Sequence, residues 1–327
     1  MKYNYVVLGT EDQYYTYGYS ELNKHSNTVY FDKPVCLFSF YRLKDFVRRV
    51  HLSEKINKVV SLPNKEFWNC HLFEHEFDNN KPICFVFFSS SKFSDSIPFG
   101  FVDYLKDKYK GSKFAVFYQD LVRFNRKVSL EMFRDKMDLL LSFDYKDSKE
   151  NGMLYHSLVY SDIADTVEKT VEKDIYFCGA AKNRLDDIMN AYNFFKDKGL
   201  KCDFHIIVDN PKKYVNDIGL SFHKSFSYYE NLVHVKSCRI LLEIMQKGGT
   251  GHTIRACEAI AFNKKMLTNN SYIKEADFFD TNNFCYYDSL NNIDMEFVKS
   301  ERLPSSYQYI NLISPYRFMK FIDEHLL

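Results

Sequence analysis

The sequence predicts an α/β protein of two Rossmann-like domains, each with a mainly parallel sheet covered by helices. Three observations carry that expectation. Strand-length apolar runs alternate with stretches of helical periodicity along the chain. The length, 327 residues, exceeds what one core ordinarily organises. Residues 241–270, LLEIMQKGGTGHTIRACEAIAFNKKMLTNN, read as strand, glycine-rich loop, helix and strand in direct succession.

In the first half, PVCLFSF (34–40), NKVVSL (57–62), ICFVFFSS (83–90), KFAVFY (113–118) and DLLLSFD (138–144) have strand length. Helix-like stretches separate several of them. FVDYLKDKYKG repeats apolar residues at Phe101, Val102, Leu105 and Tyr109, and SLEMFRDKM opens on Ser129 with Glu131 close by, near a capping box. Residues 145–172 are polar and charged, as an interdomain connector is. The expected domains are therefore 1–160 and 161–312, with a helical tail, 313–327, able to pack back on the first domain. After the connector the alternation restarts as DIYFCG strand, RLDDIMNAYNFFKDKG helix, CDFHIIVD strand, YYENLVHVKS helix, CRILLEI strand, the helix within 241–270, and KMLTNN strand. This half reads as a Rossmann-like unit.

Formal net charge is +1, and residues 1–160 carry 23 Lys+Arg against 20 Asp+Glu, so no basic footprint of a nucleic-acid binder is present. Cys36, Cys70, Cys84, Cys178, Cys202, Cys238, Cys257 and Cys285 are scattered, mostly in apolar runs and without a CxxC pair. They read as buried free thiols of a reducing compartment. The sequence has no uninterrupted apolar window of membrane-spanning length and no signal-peptide pattern at MKYNYVVLGTEDQ, which together set a cytoplasmic expectation.

The chemistry concentrates where strands meet glycine turns. Gly248, Gly249 and Gly251 allow a ligand to approach the backbone, and Thr250 or Thr253 can cap the helix that follows. A helix start aims N–H groups and a positive dipole end at the loop, which suits an anion. Arg255 and Glu258, three residues apart, share that face. Strand, glycine turn and helix also occur as mere scaffold in every α/β protein. A second such junction, DIYFCGAAKNRLDDI (174–188), adds Gly179, Lys182 and Arg184.

Two Rossmann-like halves with the stronger phosphate signature in the C-terminal one resemble the GT-B architecture of nucleotide-sugar glycosyltransferases. The run TGHTIRACEAIAFNKKMLTNN resembles that superfamily's donor-binding segment, with Glu258, Ala259, Ala261, Lys264 and Thr268-Asn269 matching its E-A-x-A-x-x-K helix and T-N strand end. The likeness is greatest to bacterial lipopolysaccharide or capsular polysaccharide enzymes, covering 174–275 well and the first half only in layout. The resemblance implies that Glu258 bonds the donor ribose hydroxyls, that Gly251, His252 and Thr253 bring backbone N–H groups to the diphosphate within a donor-binding loop that includes Gly249 and Thr250, and that Arg255, Lys182 and Arg184 neutralise it. Many retaining members carry a glutamate eight positions before the ribose-binding one, where this chain has Thr250. An inverting reaction needs a base from the first domain instead, and Asp120 and Asp144 stand at strand ends there. A helix cap or surface contact is the structural alternative for either.

The remaining signals have bland readings. His252 is either a phosphate contact or a solvated loop residue, and His205, within an apolar strand, reads as a satisfied core residue. CHLFEHEFD, with His71, Glu74, His75 and Glu76, has two histidines but no HExxH pattern. No DxD pair ends a C-terminal strand, so the expected reaction uses no metal and no cofactor beyond the nucleoside-diphosphate sugar itself. Arg42, Lys44, Arg48 and Arg49, then Lys106, Lys108, Lys110 and Lys113, form either solvated helix faces or a surface for a lipid-linked glycan acceptor at the inner membrane leaflet. The expected activity is sugar transfer to a surface glycan. Its rivals are a nucleotide-sugar epimerase of the same architecture and a non-catalytic nucleotide-sugar-binding protein of a polysaccharide assembly complex.

Overall fold

The computed structural model describes residues 1–10, 12–26, 28–31, 35–36, 42–68, 71–72, 77–78, 80–89, 100–122, 130–246, 248–300 and 307–326. They form two compact units. One comprises Met1–Tyr15, Leu22–His156 and Phe318–Leu327, the other Thr16–Glu21 and Ser157–Arg317.

The strands of the first unit are β1 (Asn4–Leu8), β2 (Val29–Phe31), β3 (Val35–Cys36), β4 (His71–Leu72), β5 (Ile83–Ser89), β6 (Lys113–Tyr118), β7 (Leu139–Ser142) and β8 (Leu154–Tyr155). All but β3 and β4 join one six-stranded parallel sheet in the order β2-β1-β5-β6-β7-β8, while β3 and β4 pair antiparallel by themselves. Val6, Leu8, Phe85, Phe87, Phe114 and Val116 pack against the helix Phe101–Lys108 to make the core. The C-terminal helix Pro315–His325 carries Phe318 against Phe88, Phe117 and His156 in the same unit.

Several expectations for this half fail. NKVVSL is not a strand: Glu54–Val59 is helical, and Val59 and Val60 are 84% and 57% exposed. The Asn57 amide donates to the carbonyls of His51 and Ser53, a local side-chain pattern that overrides the β preference of two valines. β1 was not among the apolar runs read as strands, yet it sits inside the sheet with every residue buried. Residues 145–172 are not a bare connector, because a helix occupies Tyr145–Asn151 and Leu158, Val159 and Tyr160 are buried. In PVCLFSF only Val35–Cys36 is a described strand, and Ser129 of the capping-type pattern lies outside the described residues, ahead of a short helix at Leu130–Arg134.

The second unit holds β9 (Lys173–Ala180), β10 (Cys202–Ile207), β11 (Leu220–His223), β12 (Cys238–Glu243), β13 (Lys265–Thr268) and β14 (Phe284–Tyr286). They form a parallel sheet in the order β11-β10-β9-β12-β13-β14. In a sheet of this order the connections leave β9 in opposite directions, so a crevice opens beyond the carboxyl ends of β9 and β12. One face buries Ile175, Phe177, Phe204, Ile206, Ile240 and Leu242 under the helix Leu185–Asp197. The other face carries Tyr176, Asp203, His205 and His223, with the helix Tyr228–Ser237 against β9 and β12.

Among the described residues Cys84, Cys178, Cys202, Cys238, Cys257 and Cys285 are free thiols, and no helix is long and apolar enough to cross a membrane.

Candidate functional site

The loops following β9, β12 and β13 converge at the carboxyl edge of the second sheet. Lys182 and Arg184, both in the loop after β9, reach the loop after β12: Lys182 Nζ donates to Gln246 Oε1 at 3.3 Å, and Arg184 donates to the carbonyls of Ile244 and Ala180. Lys182 holds φ +44°, an uncommon conformation for a side-chain-bearing residue. Gly179 leaves room for this arrangement, since a Cβ there would stand 3.0 Å from Arg184 Nη2. The third loop joins through Asn269, whose Oδ1 accepts from Met245 N at 2.7 Å, and Asn270, whose amide donates to the Gly251 carbonyl at 3.1 Å. A glycine-rich loop held by the two loops that flank it is pre-organised for a ligand.

Glu243 ends β12 at the crevice and is the residue the sequence reading missed. Its two carboxylate oxygens accept from the hydroxyls of Thr253 and Thr268. Burial raises its pKa, against the lowering pull of those two bonds and of Arg255 and Arg184. Thr253, not Thr250, caps the helix Ile254–Ala261, its hydroxyl accepting from Arg255 N at 3.1 Å. The signal was present in the sequence as a charged residue closing an apolar strand, LLE.

One turn into this helix lies a buried charge pair. Glu258 is 1% exposed, and Arg255 Nη1 meets its Oε2 at 2.5 Å. Asn231 Nδ2 donates to Oε1 at 2.8 Å, and the Tyr228 hydroxyl donates to the same oxygen at 2.9 Å while lying 3.0 Å from the Tyr160 hydroxyl. Arg255 also donates to the Cys178 carbonyl at 3.0 Å and lies over the Tyr176 ring. The structure thus turns Arg255 inward onto Glu258. Of the residues around Glu258, Tyr228 is half-buried and Asn231 buried, so Tyr228 covers the carboxylate from the more open side.

His252 is not solvated. It is 7% exposed, edge-on to the Phe278 ring, and its Nδ1 is buried without a hydrogen-bond partner. Burial lowers its pKa to about 4, only partly opposed by Asp277. Lys264, another residue of the family motif, donates to the carbonyls of Lys236 and Cys238 and so holds the framework.

In the first unit Asp144, a candidate base by sequence, is placed as a helix cap. It is buried, caps the helix Tyr145–Asn151 and accepts from Asp147 N at 3.0 Å, the structural alternative noted for a strand-end acid. Asp120 lies exposed two residues beyond β6. His71 is in β4, while Glu74, His75 and Glu76 lie outside the described residues. Of the basic groups, Arg48 and Arg49 pair with Asp45, and Lys113 pairs with Asp138. Lys106 lies over the Phe114 ring, and Lys108 lies over Tyr104 and Tyr109.

No protein-family model and no curated protein matches the sequence. Solved structures do match by shape. An alpha-glucosyltransferase in complex with UDP and a 13-mer DNA containing a central A:G mismatch has a TM-score of 0.53 at 14% identity, covering 74% of this chain and 79% of that one. An alpha-glucosyltransferase in complex with UDP-glucose and DNA containing an abasic site has a TM-score of 0.56 at 10% identity over 98% of each chain. A UDP-forming α,α-trehalose-phosphate synthase from Burkholderia xenovorans has a TM-score of 0.56 at 9% identity, over 100% of this chain and 99% of that one. The chain therefore has the two-sheet α/β fold of GT-B glycosyltransferases.

Proposed function

We propose that the chain is a glycosyltransferase moving a sugar from a nucleoside-diphosphate donor to a glycan acceptor, without a metal in the transfer step. The observation that carries this is the crevice beyond β9 and β12, where the glycine-rich loop after β12 is held at Gln246 and Gly251 by the two flanking loops and Glu258 is held one turn into the adjoining helix. A ribose hydroxyl would take the place of the Tyr228 hydroxyl on Glu258 Oε1, and Lys182 and the helix start would meet the diphosphate. Uridine is the base favoured, because the alpha-glucosyltransferases are in complex with UDP or UDP-glucose. Two of these similar structures also contain DNA, but a formal net charge of +1 supports a glycan as the acceptor here. For an inverting reaction Asp120 is the candidate base.

The test is a thermal-shift screen of nucleoside diphosphates, followed by assay of UDP-sugar hydrolysis with and without glycan acceptors. Stabilisation by UDP and slow acceptor-free hydrolysis are expected. Stabilisation by no nucleotide sinks the reading. Binding without turnover leaves a sensor, and epimerised sugar without transfer leaves an epimerase. Tyr228→Phe removes the hydroxyl that a ribose must displace, so its affinity for UDP is expected to equal or exceed that of the wild type.

The acceptor we favour is a surface glycan of the lipopolysaccharide or capsule kind, carried on lipid. Supporting it, the helices Arg42–His51, Glu54–Val59 and Lys65–Trp68 of the first unit expose Leu43, Phe46, Val59 and Phe67 at 76%, 65%, 84% and 58%. With Arg48 and Arg49 paired internally to Asp45, apolar insertion rather than charge would dominate contact with a bilayer. Phe46→Ser with Val59→Ser is expected to abolish sedimentation with phosphatidylglycerol-containing vesicles, and retained sedimentation would remove the membrane from the proposal.

A further inference from the structure

Parallel strands covered on both faces are ordinarily apolar throughout. In the second unit one face departs from this, because the alternation of CDFHII in β10 puts Asp203 and His205 on the face opposite Phe204 and Ile206. His223 joins from β11 and His234 from the helix Tyr228–Ser237. Three imidazoles and one carboxylate thus meet on a surface where aliphatic side chains would be expected.

The four groups are ordered around Asp203. His205 Nε2 lies 3.0 Å from Asp203 Oδ1, and His234 Nδ1 lies 2.6 Å from Asp203 Oδ2. The other nitrogen of His205, Nδ1, lies 2.9 Å from His223 Nε2. Rings enclose the group: Phe226 is 4.5 Å from His205 and 5.0 Å from His223 between centroids, and Tyr176 stacks on His234 at 5.5 Å with planes 7° apart. The His234 side chain remains 30% exposed, which leaves a way in from solvent.

We propose that Asp203, His205 and His234 bind a divalent first-row transition ion, zinc foremost. One atom from each of the three lies within 4.8 Å of the others. Two tetrahedral ligands at metal distances of about 2.0 Å stand about 3.3 Å apart. The present separations, 3.0 Å from His205 to Oδ1 and 2.6 Å from His234 to Oδ2, involve different carboxylate oxygens, so a withdrawal and rotation of the carboxylate that brings one oxygen to both nitrogens admits an ion. Two imidazoles and a carboxylate are the mixed N/O set that suits zinc, and they leave the fourth position to water. Ligation requires both facing nitrogens to be unprotonated, so each ring carries its proton on the far side. In the ion-bound state the His205 proton would sit on Nδ1 and be donated to His223 Nε2, 2.9 Å away, which would fix the tautomer and ring orientation as outer-shell partners of metal-bound histidines do. His223 is a positioning residue. The site is separate from the proposed donor site but adjoins it, since the Tyr176 hydroxyl donates to Asn231 Oδ1 and Asn231 holds Glu258.

The test is equilibrium dialysis of the full chain, stripped with chelator, against Zn²⁺ and Co²⁺, with the Co²⁺ absorption spectrum recorded. One ion per chain is expected, with intense tetrahedral d–d bands and no thiolate-to-cobalt charge-transfer band, which separates this site from the cysteines. His223→Phe is expected to weaken binding by about 10- to 100-fold, and Asp203→Asn and His234→Gln to weaken it further, with unchanged far-UV circular dichroism. Absence of stoichiometric binding in the wild type, a thiolate band, or equal affinity in folded His234→Gln overturns the proposal. Should the substituted chains fail to fold, histidine ring NMR signals of the wild type decide it: Zn²⁺ must perturb three imidazoles together, and an unperturbed set overturns it.

Discussion

Replacing Glu258 by alanine is expected to destabilise the protein by about 3–5 kcal/mol, the cost of leaving a buried charge without its partner. Arg255 is 8% exposed, and without the carboxylate its guanidinium keeps only the Cys178 carbonyl and the Asn231 amide oxygen, neither of which carries a charge. Burial pulls the Arg255 pKa down, and Glu258 foremost among its neighbours more than offsets that pull. The asymmetry of buried pairs supplies the decisive comparison. Arg255→Met combined with Glu258→Leu removes both charges and keeps the volume, so the double variant should recover most of the stability lost in Glu258→Ala. Urea unfolding at neutral pH measures both. A cost below 1 kcal/mol for the single variant, or equal costs for single and double, would show that the pair is not buried as described. Loss of donor binding in Glu258→Ala alone is weak support for a ribose contact, because the loop helix itself would be compromised. Tyr228→Phe keeps the charge pair whole and is the cleaner probe of that contact.

The same pair illustrates what could be read without coordinates. Arg255 and Glu258 stand three apart on a helix, so their proximity follows from helical spacing alone. What closes over them does not. Asn231 and Tyr228 come from a helix some 30 residues earlier and the Cys178 carbonyl from β9, and only the sheet order brings those elements together. The strands of the second unit were legible because buried parallel strands are continuous apolar runs bounded by glycine or polar turns, as DIYFCG and CRILLE show. The shorter β11 and β14, LSFH and FCY, give no comparable run. Asp144 shows the limit of reading an acid at a strand end: a catalytic base and an N-cap leave the same mark in sequence, and only the bond from Asp147 N distinguishes them. Asp203, His205 and His234 fail to stand out for a similar reason, since a strand alternation and a helix 29 residues later must first be superposed.

His252→Gln is expected to make the protein markedly less sensitive to mild acid. Burial holds the folded-state pKa of His252 at about 4, below the ordinary 6.5, so the unfolded chain binds a proton that the folded chain refuses. The contribution to stability is therefore fully present above pH 6.5 and is lost as pH falls from 6.5 to 4. A difference of this size corresponds to about 3 kcal/mol by pH 4, since each pKa unit is about 1.4 kcal/mol. Glutamine keeps a polar side chain but cannot titrate, so the wild-type curve should fall away from the variant's across that window. Asp203 works in a different range: its bonds from His205 and His234 outweigh burial and hold its pKa below the usual value, so its contribution is lost only as pH falls below about 4. Glu243 acts in the opposite sense, because its raised pKa favours the protonated carboxyl and its contribution declines as pH rises above its unfolded value. Neither slope is altered by a change at His252. Unfolding free energies of wild type and variant at pH 7, 6, 5 and 4 give the test, and parallel curves would mean that His252 is solvated. His252→Leu goes one step further by removing the unpartnered Nδ1, and should raise stability at pH 7 as well. If that variant also loses affinity for UDP, the buried imidazole is held neutral as an N–H donor for the loop's ligand; if affinity is unchanged, His252 serves the packing against Phe278 alone.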